Sequence, residues 1–188
     1  MGRWEPNARG RLAVAAMELY TERGFEQTTV AEIAERAGLA ERTFFRHFRD
    51  KREVLFSGAA ELQELLVTTV AEAPSSATPI EVIADAVAVA GGVLQERRDF
   101  ARQRQSVITA NPELQERELI KLASLASAMA EALRRRGVND QSAALAAEVG
   151  VAAFKIGFER WIKEPQARDL PSDIRESLEE LKAVTNGR

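Results

Sequence analysis

Within seven residues, Arg42-Thr43-Phe44-Phe45-Arg46-His47-Phe48, the chain gathers two guanidiniums, a hydroxyl and its one imidazole around aromatic side chains. Read as a helix with Arg42 at the origin, this run places Phe44 and Phe48 at about 200° and 240° and Arg46 at about 40°. Thr43 and His47 fall at about 100° and 140°, on one shoulder of the arginine face, and Phe45 at about 300° on the other. The aromatic face can enter a core while Arg42, Thr43, Arg46 and His47 project outward together. Guanidinium forks match guanine O6/N7 and phosphate oxygens, and threonine can meet a base edge or a thymine methyl. Lys51, opening the next helix, is placed to clamp a phosphate.

Other chemistries find little to work with. There is no cysteine, so neither disulfides nor thiolate metal sites exist, and one histidine cannot build an imidazole cluster. Nucleophilic triads normally use a histidine base, and the only one lies on the arginine-bearing run; no P-loop or G-x-G-x-x-G motif occurs. A carboxylate-based enzyme stays open as the rival reading. No cofactor or metal is expected.

The net charge of −3 by itself argues against nucleic acid, but residues 1–52 carry +2 and residues 53–188 carry −5. That split weakly favours an N-terminal DNA-facing part. The N-terminus has Arg3, Arg9 and Arg11 but no apolar core of a secretory signal, and the longest apolar stretch, Val82 to Leu94, is broken by Asp85. A membrane span needs about 20 apolar residues. No membrane association and a cytoplasmic location are expected.

The elements that must hold the arginine face are helices. Leu12, Ala15, Ala16, Leu19 and Tyr20 form one apolar stripe that should stop at Gly24. Thr29-Val30-Ala31-Glu32 has the form of a capping box, Val30, Ile33, Ala34 and Ala37 make the buried stripe after it, and Gly38 is placed to end that helix. A second short helix, about Ala40 to Phe48, follows. Two short helices joined by a tight turn are the helix-turn-helix geometry. A longer helix runs from Asp50 to the linker Pro74-Ser75-Ser76-Ala77-Thr78-Pro79, and further helices cover Ile80 to Arg97, Phe100 to Ala110, Pro112 to Arg136, Gln141 to Lys163 and Pro171 to Val184. Asn111-Pro112, Gly137-Val138-Asn139-Asp140 and the Pro165 to Pro171 connection punctuate them. The fold class is all-α, with about nine helices. Arg134-Arg135-Arg136 reads as helix-terminal cations that complement the dipole.

The run Arg23-Gly24-Phe25, Thr28-Thr29-Val30, Ile33-Ala34, Ala37-Gly38, Thr43-Phe44-Phe45-Arg46-His47-Phe48 and Lys51 resembles the DNA-binding domain of TetR-family regulators over about residues 9 to 55. The remaining two thirds resembles that family in being helical, with a fainter likeness to an actinobacterial branch that includes the mycofactocin-system regulator. The resemblance implies a helix-turn-helix domain over residues 1–52, a ligand-binding and dimerisation domain over residues 53–188, and a homodimeric repressor released from double-stranded operator DNA by an unidentified small molecule. It points to Thr29, Arg42, Thr43, Phe45, Arg46, His47 and Lys51 as DNA contacts. Phe45 departs from the family pattern, standing where a tyrosine often bonds a phosphate, and Ala40 stands near an N-cap where serine is common.

Beyond the head, the apolar or partly polar residues Leu62, Leu66, Phe100, Arg104, Ile108, Leu125, Met129 and Phe158 are candidate pocket walls, and most such residues are ordinary core. The small-residue run through Ala146 and Gly150, with Phe154, and the stripe Ile174, Leu178 and Leu181 on the last helix suit either intramolecular packing or a second copy. The family resemblance, in which the last two helices form a dimeric four-helix bundle, favours the dimer.

Overall fold

A computed structural model describes residues 7–163 and 169–185, all of whose regular structure is helical. Arg3, and residues 165–168 of the expected final connection, lie outside them. Among the described residues ten helices run in order: α1 (Ala8–Arg23), α2 (Val30–Arg36), α3 (Glu41–His47), α4 (Lys51–Leu55), α5 (Ala59–Glu72), α6 (Pro79–Gln95), α7 (Arg98–Thr109), α8 (Pro112–Arg135), α9 (Asp140–Lys163) and α10 (Leu170–Thr185).

The extra helix comes from the segment expected to be continuous from Asp50. Asp50 starts it properly, its carboxylate accepting from the backbone N–H groups of Arg52 and Glu53. Phe56 then leaves the helical region, buried, with the guanidiniums of Arg104 and Arg117 over its ring at 5.1 and 6.0 Å. The Ser57 carbonyl freed by the break accepts from Arg9 instead of continuing a helix.

The chain forms two compact units. The first comprises residues 1–58 and 102–118, so part of the span expected as the C-terminal domain belongs with the head. The physical reason is apolar: Val107, Ile108 and Leu114 share a core with Leu12, Tyr20, Phe25, Ile33, Phe44, Val54 and Phe56. Arg104 binds the Leu55 carbonyl and the Glu118 carboxylate, and Arg117 pairs with Glu53.

The second unit comprises residues 59–101 and 119–188. Thr78 and Glu81 form a capping box with Pro79 in the first turn of α6, which fixes where that helix begins. Helices α6, α9 and α10 pack on one another through small residues. A Cβ added at Gly150 would lie 2.2 Å from Ile83 Cγ2, and one at Gly157 would lie 2.8 Å from the backbone nitrogen of Ile174. Only glycine lets α9 approach this closely. Trp161, fully buried, receives Arg98 on its carbonyl and, at 5.4 Å, over its ring.

Candidate nucleic-acid interface

Thr29 is the N-cap of α2. Its hydroxyl accepts from Glu32 N–H at 3.3 Å, while the Glu32 carboxylate accepts from the Thr29 backbone N–H and hydroxyl, both at 2.8 Å. These bonds stabilise the charged form, so the Glu32 carboxyl lies below its ordinary range, with the Arg23 guanidinium adding to the effect. At the other end Gly38 adopts φ 65°, and the Leu39 N–H reaches the Ala34 carbonyl as the Gly38 N–H reaches that of Glu35. This double bond pattern ends a helix and aims the chain into the next one.

The helix so aimed, α3, begins at Ala40 with no side-chain cap. Its burial divides as the periodicity required. Phe44 is 0% exposed and Phe48 4%, in ring contact at 5.4 Å, whereas Arg42 and Arg46 are exposed, with no side-chain partner among the described residues. Thr43 is half-buried beside them. Phe45 is 55% exposed, an apolar group held in the open with its ring edge against Phe44. His47 is half-buried, and its Nε2 is sealed without a hydrogen-bond partner, so that nitrogen does not join the open face.

Lys51 is placed differently from the expectation. Its Nζ donates to the carbonyls of Phe25, Glu26 and Thr28 at 2.8, 3.2 and 3.0 Å, inside the turn between α1 and α2. The exposed cation in this corner is Arg49, which has no side-chain partner among the described residues. Periodicity past Phe48 does not extend to it, because α3 ends there; its charge beside the arginine helix was the available signal.

The expected pocket residues divide between the units. Leu62, Leu66, Leu125 and Met129, with Val87, Ala90, Leu122, Val151 and Phe154, enclose an all-apolar gap of about 10 Å³ in the second unit, room for about one water. An open groove of about 400 Å³ beside it is lined by Gln63, Glu64, Lys121 and Ser124 and shares Leu125. Phe158 packs on Trp161 and Phe154 instead of lining the gap, and Phe100 is partly exposed. Arg104 and Ile108 do not line it either: they belong to the first unit, Ile108 fully buried in its core.

The expected dimer residues are also redistributed. Ala146, Gly150, Ile174 and Leu178 are buried within the single chain, the small-residue face of α9 being occupied by α6 and α10, and Phe154 is half-buried at the apolar gap. Leu181 remains partly exposed. The outward apolar stripe of α9 is instead Leu145, Val149, Ala152 and Ile156, at i, i+4, i+7 and i+11, and α10 adds Leu181 and Val184. Sequence periodicity could not separate the two faces because both are apolar.

Residues 12–57 match the family described as bacterial regulatory proteins, tetR family, and residues 77–186 match the family described as the MftR C-terminal domain. The HTH-type transcriptional regulator TcmR of Streptomyces glaucescens is 36% identical over 78 residues, 42% of this chain and 34% of that protein. The HTH-type transcriptional activator FasR of Mycolicibacterium smegmatis is 33% identical over 70 residues, 37% of this chain and 32% of that protein. The match thus spans about a third of the length of these curated relatives. Among solved structures, FadR of Thermus thermophilus, a repressor in complex with lauroyl-CoA, is 26% identical with a TM-score of 0.55, covering 93% of each chain. FadR of Bacillus subtilis in complex with stearoyl-CoA superposes with a TM-score of 0.64 at 22% identity, over 92% of this chain and 96% of that one, a likeness of fold.

Proposed function

The chain belongs to the tetR family of bacterial regulatory proteins, and on that premise we propose that it is a cytoplasmic DNA-binding repressor that acts as a homodimer and leaves a near-palindromic operator when a small molecule binds. The observation that carries the reading is the division of α3: Phe44 lies wholly inside while Arg42 and Arg46 stand open and unpaired among the described residues. Unpaired guanidiniums on a short helix that follows a tight turn suit major-groove edges and phosphates. The reading assigns no catalytic step.

A second copy supplies the second half-site, and the stripe Leu145, Val149, Ala152, Ile156 with Leu181 and Val184 is the surface that fits it, being apolar and continuous along α9 and, except for the half-buried Val149, exposed among the described residues. The ligand reading rests on the apolar gap in the second unit. Small-molecule sites occupy roughly 300–1,000 Å³, so a ligand entering there must displace Leu62, Leu125 or their neighbours. A ligand that favours the opened arrangement over the DNA-binding one shifts the equilibrium by its difference in affinity, typically about 1–3 kcal/mol. The lauroyl-CoA complex of the Thermus thermophilus FadR supports a ligand with an apolar chain.

Selection of bound fragments from genomic DNA, followed by footprinting, tests the function. The expected result is a protected near-palindrome; binding without sequence preference at all salt concentrations rejects the reading.

A further inference from the structure

Arg49 and Lys51 flank Asp50 at the junction of α3 and α4, and the two cations are in opposite states. Lys51 donates to three carbonyls, those of Phe25, Thr28 and Glu26 at 2.8, 3.0 and 3.2 Å, and its ammonium stands 4.4 Å from the centroid of the Phe25 ring. An ammonium has three N–H donors, and three acceptors take them. The lysine's own backbone is held as well, its carbonyl accepting from the Tyr20 hydroxyl at 2.6 Å. Burial and the nearby Asp50 charge push the Tyr20 phenol well above its ordinary value, so it remains a donor throughout the physiological range. Arg49 is exposed, and none of its five donors has a partner among the described residues.

A phosphate could engage Lys51 only by drawing it from the turn between α1 and α2. Two of the three carbonyls belong to residues that are almost wholly buried, Phe25 at 2% and Thr28 at 1% exposure. They would lose a charge-assisted partner that water replaces poorly. The same turn delivers Thr29, the N-cap from which α2 starts. Lys51 therefore governs where α2 begins, and through the turn at Gly38 where α3 is carried.

We propose that Lys51 is a positioning residue that fixes the turn from Gly24 to Thr29 and makes no phosphate contact, and that Arg49 makes the phosphate contact at this corner. The proposal rests on the operator-binding reading. It separates two effects that a loss of affinity alone would confuse, because a phosphate contact releases about one counterion and a positioning bond releases none.

The experiment uses the full chain with Lys51→Met, which keeps the aliphatic stem and removes the three donors, and Arg49→Gln. Operator affinity is titrated across a series of salt concentrations well below the melting temperature, and amide hydrogen exchange of residues 25–30 is followed without DNA. For Lys51→Met the expected result is exchange at least about tenfold faster in that turn, weaker operator binding, and an unchanged slope of log affinity against log salt. For Arg49→Gln it is unchanged exchange and a slope smaller by about one ion per subunit. A Lys51→Met protein with normal exchange and a reduced slope overturns the proposal, as does an unchanged slope for Arg49→Gln. Faster exchange with wild-type affinity overturns the positioning role, leaving Lys51 a purely structural bond. Should Lys51→Met fail to fold, Lys51→Arg gives the exchange reading, since a planar fork keeps the charge but cannot reproduce the three-carbonyl geometry; normal exchange with wild-type affinity in that variant overturns the positioning role. The exchange readout needs no DNA, so it decides whether Lys51 holds the turn even where the wild-type protein selects no operator, a result that would sink the functional reading, the positioning role and the Arg49 contact together.

Discussion

The guanidinium of Arg11, on α1, donates to the carbonyl of Ala37 across 2.5 Å and so closes the C-terminus of α2 at the turn that leads into α3. The contact leaves little room: a Cβ built on Gly38 would lie 3.0 Å from the same Arg11 nitrogen, and Gly38 is held at φ 65°. The turn is thus fixed both by its own hydrogen bonds and by a side chain from the first helix.

Replacing Gly38 with Ala should destabilise the first unit by about 1–2 kcal/mol, the usual cost of a left-handed conformation for a residue with a Cβ. Gly38→Asn should cost less, because asparagine tolerates that region better. Urea midpoints of the two variants test this, and a midpoint for Gly38→Ala equal to that of the parent would contradict it.

The two faces of α3 should separate stability from recognition. Phe44→Ala opens a cavity at a fully buried site and should cost about 3–5 kcal/mol of stability. Arg42→Ala and Arg46→Ala should leave melting unchanged and weaken operator binding by about 1–3 kcal/mol wherever the arginine is bidentate to a base. If both arginine variants bind as tightly as the parent, α3 is not the reader.

The capping box at Thr29 and Glu32 should lose its contribution in acid. The folded-state carboxyl of Glu32 lies below its unfolded value, first because of the Thr29 backbone bond and then the Thr29 hydroxyl. A lowered carboxyl adds stability above the unfolded pKa of about 4.3 and loses it as pH falls through the folded value. Glu32→Gln should therefore narrow the gap in stability between pH 7 and pH 3. Thermal melts at the two pH values check it, and an identical gap in variant and parent would refute it.

The head was legible because its signals are local. The capping box, Gly38 and the opposed faces of α3 each depend on residues within a few positions, where spacing dictates geometry. The placements of Lys51 and His47 were not legible, because three carbonyls of a distant turn hold one and the other has a ring nitrogen sealed from solvent. The break at Phe56 was hidden for the same reason, the guanidiniums over its ring coming from residues about fifty to sixty positions later. On α9 both faces are apolar, so only packing reveals that Gly150 faces Ile83 in the same chain.

Gly150→Ala should destabilise the second unit by about 1–3 kcal/mol through overpacking against Ile83, which a Cβ would approach to 2.2 Å. Because the clash lies within one chain, the loss should be the same at low and high protein concentration. A loss that vanishes on dilution would place Gly150 between copies instead.

The opposite face of α9 should behave in the opposite way. Leu145 is 68% exposed and Ile156 47%, while Val184 on α10 is 76% exposed, a degree of apolar exposure that a second copy would remove from water. Ile156→Glu adds a charge to a residue already open in the single chain, so the isolated chain should keep its helical content. In a dimer the same charge would be buried without a partner, at a cost of several kcal/mol, enough to shift a micromolar solution to monomer. Operator affinity should fall with it, because one copy of α3 loses the binding energy and the geometry of the second half-site. Sedimentation of parent and variant decides the point: a parent that is monomeric at micromolar concentration, or a variant that stays dimeric, would remove this stripe as the interface.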